Sequence, residues 1–179
     1  MKKHTQNYLM LFTIAGVILA LDLWTKELVR SQLAFGETWV PWEWLAPYAR
    51  IVHWQNTGAA FGIGQNLSML FTILAIIIVG AILYFFPQIP DGDWPLRIAL
   101  SMQLGGAMGN LIDRLTIGHV TDFISVGTFP VFNIADASIS TGVAVLLLGM
   151  WIMDRKEKKQ AASALQGEIH IHGEDVQGD

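Results

Sequence analysis

Long apolar runs alternate with short polar, turn-rich stretches along this chain, and the run lengths set its architecture. An apolar run from Tyr8 to Leu21 continues at helical spacing through Asp22-Leu-Trp-Thr-Lys26-Glu27, which predicts a first helix over about 8–29. Leu67–Phe86 is twenty residues without a charge, enough to cross a hydrocarbon core at about 1.5 Å per residue. Pro87, Pro90, Asp91-Gly92 and Pro95 then mark a turn. A third helix is predicted over 97–115, where Gly105-Gly106-Ala107-Met108-Gly109 gives a small-residue face suited to close helix approach. A fourth fits 136–153 and stops at Asp154-Arg-Lys-Glu-Lys-Lys159. The mixed segment 30–66 holds Pro41, Pro47, Trp39, Trp42, Trp44 and Trp54, and reads as a small β-rich or amphipathic layer at the outer membrane surface.

The pattern predicts a mainly α membrane protein, a four-transmembrane-helix bundle forming one domain over 1–159. Residues 160–179 read as a polar, disordered cytoplasmic tail. Composition agrees: 53% of the 179 residues are hydrophobic and mean hydropathy is +0.44. Charged residues make up 15%, against about 25% in soluble domains. Without Cys there is no thiol nucleophile, thiolate metal site or disulfide. Nothing basic and aromatic-interleaved suggests nucleic acid. Lys2 and Lys3 flank the start, Arg155, Lys156, Lys158 and Lys159 flank the fourth helix, and 116–135 has no Lys or Arg. That asymmetry puts both termini in the cytoplasm and 116–135 outside.

Charges at the edge of a bilayer core are costly, so they are candidates for function. The stretch 113–136 holds three Asp and an Arg between two apolar segments. Asp122 closes Val-Thr-Asp and Asp136 closes Phe-Asn-Ile-Ala-Asp. Two carboxylates held close in poor solvent cannot both ionise, so they share a proton. Such a pair supplies a base for water and an acid for a leaving amine, as in aspartic proteases. Asp136 at a helix start also fits a plain cap.

Asp22 and Lys26, four apart, fit either an interfacial ion pair or a polar anchor beside the site. Asn56 and Gly58 lie in a small-residue stretch that also fits a simple turn. Asn110, Asp113 and Arg114, at i, i+3 and i+4, predict one helix face carrying an Asp–Arg pair, with Arg114 able to orient an acid or grip a phosphate. Asn133 shares a face with Asp136. The five His are scattered, so no metal site is expected.

Two other classes compete. A small transporter would use Asp22, Lys26, Asp113 and Arg114 as a charge relay, but there is no internal repeat and the acids cluster toward one surface. A scaffold would use its Asp residues only as caps and would tolerate Asn at either 122 or 136.

Asp-Leu-Trp-Thr-Lys at 22–26, Asn-Thr-Gly-Ala-Ala-Phe-Gly at 56–62, Gly-Asn-Leu-Ile-Asp-Arg at 109–114, Val-Thr-Asp-Phe at 120–123 and Phe-Asn-Ile-Ala-Asp at 132–136 together resemble the lipoprotein signal peptidase (signal peptidase II) family. The resemblance spans roughly 8–155. It implies an aspartic endopeptidase of the bacterial inner membrane that removes signal peptides from diacylglyceryl-prolipoproteins, on the N-terminal side of the lipidated Cys. It implies Asp122 and Asp136 as the catalytic pair, with Asn56, Gly58, Asn110, Asp113, Arg114 and Asn133 around them and Asp22 and Lys26 in support. It further implies an extracytoplasmic cradle over 30–66, no metal or cofactor, membrane lipids as surroundings and a monomer.

Overall fold

The computed structural model describes residues 2–58, 67–90 and 92–175. Four long helices and a small sheet follow in the order α1 (Lys2–Gln32), β1 (Thr38–Trp39), β2 (Ala49–Asn56), α2 (Ser68–Phe85), α3 (Trp94–Ile117), β3 (Val120–Val126) and α4 (Ile134–Asp175). One-turn 3₁₀ helices at Glu43–Leu45 and Phe86–Gln88 fill the connections. Residues 59–62 of the small-residue stretch, and Asp91 of the turn, lie outside the described residues.

Among the described residues three segments are long and apolar enough to cross a membrane: Tyr8–Gln32, Ser68–Gln88 and Ile134–Lys156. The expectation of four spans is met only in part, because α3 does not reach that hydropathy. Its place in the bundle explains why. It packs against α1, α2 and α4, so much of its surface meets protein rather than lipid. Twelve of its residues are buried, including the polar Arg97, Ser101, Asn110 and Asp113. By contrast α2 buries only Ala75 and Ile82 and exposes Ile73, Ile76, Ile77 and Ile78, as a lipid-facing helix should.

Both outer helices run beyond the ranges read from the pattern. The first extends to Gln32, and the fourth is helical to Asp175 rather than ending at Met153. Ala, Leu, Lys, Glu and Gln dominate 156–168, and these are strong helix formers even where polarity ends an apolar run. The third helix starts earlier than read, at Trp94. Asp93 caps it by accepting from the Leu96 N–H, and Pro95 sits in the first turn where no donor is needed. Gly118, at φ 81°, ends α3 in the left-handed conformation that favours glycine.

The antiparallel sheet has the order β1-β2-β3. Two strands come from the 30–66 segment, and the third is β3, which the sequence reading left without a defined element. Ile51 pairs with Ile124 and Trp54 with Asp122, so Val52 and His53 oppose Phe123 alone, a β-bulge. An apolar core at the other end of the bundle packs Leu11 and Ala15 of α1 on Ile82, Phe86, Ile89 and Leu104.

Candidate active site

Where β3 meets the start of α4, the chain closes a capping box. The Asn133 side-chain oxygen accepts from the Asp136 N–H at 2.9 Å, and an Asp136 carboxylate oxygen accepts from the Asn133 N–H at 3.3 Å. This reciprocal pair orients α4 and fixes Asp136 in its first turn. The Asn133 amide, fully buried, then reaches back to β3 and donates to Asp122 Oδ1 at 2.7 Å. A single asparagine thus joins the two aspartates. Asn56, the last residue of β2, donates to the other Asp122 oxygen at 2.9 Å.

Asp136 receives a second donor from Asn110 of α3, at 2.8 Å. The Asn110 oxygen accepts from Lys26 Nζ at 2.9 Å and from Asn133 at 3.1 Å. Lys26 is fully buried. It pairs with Asp22 at 2.7 Å and with Asp113 at 3.3 Å, a buried charge held by two carboxylates and an amide. Asp22 also accepts the Ala135 N–H at 2.9 Å, tying α1 to the first turn of α4. The i, i+4 pair is therefore both the ion pair and the anchor that its spacing allowed.

Asp113 and Arg114 do not form the pair expected from their spacing. Neighbouring helix residues point about 100° apart, so the two side chains part. Asp113 turns to α1 and β3, taking Arg30 Nη1 at 3.0 Å and the Thr121 N–H at 2.9 Å. Arg114 turns the other way. It donates to the Gly58 carbonyl at 3.3 Å and lies over the Phe71 ring at 5.7 Å, while its Nε is buried without a hydrogen-bond partner among the described residues. The Gly58 N–H in turn bonds the Asn56 side chain, so the turn after β2 is held from both sides.

Beside these groups lies a cleft of about 450 Å³. Its polar wall is Asn56, Asn110, Arg114 and Asp136, and its apolar wall runs from Phe129 to Phe132 and along α4 to Thr141. The Asp122 carboxyl, 1% exposed, is pushed up to about 7. Burial is the main cause and the nearby Asp136 charge the second, while the amides of Asn56 and Asn133 pull the other way. The arrangement can keep the Asp122 carboxyl protonated near neutral pH. Among the described residues no cluster of His, Cys, Asp and Glu is arranged to hold a metal.

The family model described as signal peptidase (SPase) II matches residues 14–152, which include every one of these polar residues. The chain belongs to the signal peptidase II family. The lipoprotein signal peptidase of Shouchella clausii is 43% identical over 151 residues, covering 84% of this chain and 98% of that protein. The one from Staphylococcus carnosus is 32% identical, covering 88% and 98%. A solved bacterial membrane enzyme aligns with a TM-score of 0.75 at 32% identity, over 83% of this chain and 90% of that one. The chain is a multi-pass membrane protein and a protease of this family.

Sequence reasoning missed Arg30 and Thr121, which join the network through Asp113. Arg30 follows Lys26 by four residues and Asp22 by eight, so it extends their face, and that spacing was the available signal. The apolar wall at Phe129–Phe132 carried no comparable sign.

Proposed function

We propose that this chain removes signal peptides from lipid-modified prolipoproteins, with Asp122 and Asp136 as its catalytic acids. One observation carries the assignment: at the edge of a cleft Asn133 bonds both carboxyls, that of Asp122 through its buried side-chain amide and that of Asp136 through its backbone N–H. A pair of caps would not need that link. Water bound between the acids gives a proton to ionised Asp136 as its oxygen attacks the scissile carbonyl, while protonated Asp122 donates to the carbonyl oxygen. The resulting diol collapses. The C–N bond breaks, the amine leaves with the proton held by Asp136, and the new carboxyl returns a proton to Asp122. The water molecule is thereby divided between the two products.

Asn110 restrains Asp136 and Asn56 restrains Asp122, so little reorganisation accompanies the proton transfers. Arg114, on the cleft wall, can donate to a substrate carbonyl. The substrate's acyl chains stay in the bilayer and set the depth of the scissile bond, so binding supplies the alignment. The protein acts as a monomer surrounded by lipid. Buried α3 counts as the fourth span. Both termini lie in the cytoplasm and the site faces the outer side of the inner membrane, as the basic flanks favour.

The test uses purified full-length protein with a diacylglyceryl-modified prolipoprotein and its unmodified form. Cleavage of the modified form alone, leaving the lipidated Cys as the new N-terminus, is expected. Failure to cleave it would refute the reading.

A further inference from the structure

The β-bulge weakens strand pairing beside Asp122, the residue whose placement matters most. Opposite Val52 and His53 the ladder from β2 is interrupted, and the Phe123 N–H bonds the Phe132 carbonyl instead. Val120–Asp122 still pair with Trp54–Asn56, but the break right after Asp122 leaves side chains of α1 and α3 to share in holding this part of β3. Thr121, just before Asp122, is fully buried and fixed through all three of its polar groups. Its N–H donates to Asp113 at 2.9 Å, its carbonyl accepts from Asn133 at 3.4 Å, and its hydroxyl accepts from Arg30 Nη1 at 3.1 Å. The same Arg30 nitrogen donates to Asp113 at 3.0 Å. On its outer side the guanidinium holds Glu27 through Nε and Nη2, at 3.2 and 3.0 Å, which fixes the plane of the fork.

We propose that Arg30 is a positioning residue for Asp122: by clamping Asp113 and Thr121 together it holds the start of β3 and sets the Asp122 carboxyl against Asp136. The inference rests on the catalytic reading above. Arg30 does not line the cleft and is a quarter exposed on the far side, so it acts only through its partners. A lysine cannot reproduce the clamp, since one ammonium lacks the planar fork that holds two acceptors and Glu27 at once.

The experiment compares wild type, Arg30→Gln, Arg30→Lys, Thr121→Val, the Arg30→Gln/Thr121→Val double variant and Glu27→Gln. Each is assayed for kcat, KM and pH profile on lipidated prolipoprotein, beside thermal unfolding in detergent. Arg30→Gln is expected to lower kcat about 10–100-fold with KM within about twofold, the scale of a misplaced catalytic group. Its alkaline limb moves to lower pH, because an Asp122 carboxyl released from its place is better hydrated and farther from Asp136. Arg30→Lys falls between the two, Glu27→Gln loses less than Arg30→Lys because its amide oxygen still accepts from the fork, and the double variant is no worse than Arg30→Gln.

The inference is overturned if Arg30→Gln keeps the wild-type kcat and pH limb. It is equally overturned if the loss merely follows the folded fraction with the limb in place, or if the two single losses multiply. Should Arg30→Gln fail to fold, Arg30→Lys and Thr121→Val decide by the same limb and kcat criteria. Wild type failing to cleave, or Asp122→Asn remaining active, would instead sink the catalytic reading and this inference with it.

Discussion

Gly106 sets the distance between α3 and α4, and an alanine there should disable the site from outside it. A Cβ at Gly106 would stand 2.5 Å from the Ala135 carbonyl oxygen, 2.5 Å from Ser138 Oγ and 2.8 Å from Ile139 Cγ1. The shortest ordinary contact is 3.4 Å, so the Ala135 oxygen must retreat by about 0.9 Å. That oxygen belongs to the backbone of the first turn of α4 and cannot swing aside. Asp136, next in the chain, moves with it, and the 2.8 Å bond from Asn110 stretches beyond hydrogen-bond range. Overpacking costs about 1–3 kcal/mol, and the lost bond to a carboxylate about 1.5–3 kcal/mol more. Displacement of a catalytic group by about 1 Å costs on the order of 100-fold in rate. Gly106→Ala should therefore lose at least 90% of cleavage of lipidated prolipoprotein, and unfold at lower temperature in detergent. Gly80→Ala is the control. Gly80 lies on exposed α2 with nothing within 4 Å, where alanine is the better helix former by about 1 kcal/mol. A Gly106→Ala protein with more than half the wild-type rate and an unchanged Tm would refute the reasoning.

Two further outcomes follow from the same geometry. The Asp122 carboxyl titrates near 7 in the folded protein against 3.8 as its ordinary value, so the folded state binds the extra proton between those pH values. Its stabilising effect is full below pH 4 and lost as pH rises through 7; Asp122→Asn should flatten Tm across that window and raise it at pH 8 by about 5 °C or more. Wild-type activity should decline above about pH 7 as the shared proton leaves, and a plateau extending to pH 9 would contradict this. The absence of native Cys makes topology measurable with single introduced thiols. In intact cells an impermeant maleimide should label Thr128→Cys and spare Gly92→Cys, and the reverse pattern would invert the orientation.

Much of the site was legible because its residues come in short local patterns. Asp22 and Lys26 declare themselves by helical spacing, and Asn133 and Asp136 by their place at a helix start. Membrane burial makes each charge conspicuous against an apolar background. What failed to show was direction. Asp113 and Arg114 share a motif, yet the helix turns them to opposite neighbours, and only the packing of α1 and β2 decides which. The third helix was read as a span, yet it is less apolar than the other three because protein covers it on three sides, a fact of tertiary packing. Arg30 was hidden for a related reason. An arginine at the end of an apolar helix looks like an interfacial anchor until β3 is laid against it.

The most direct measurement is turnover of lipidated prolipoprotein by Asp122→Asn and Asp136→Asn beside wild type, each with a matched unfolding curve. Asparagine keeps the shape of the side chain and removes the acid. Two folded variants, both without measurable cleavage, are the predicted result. Near-normal turnover by either would make that aspartate a cap and contradict the paired-acid account.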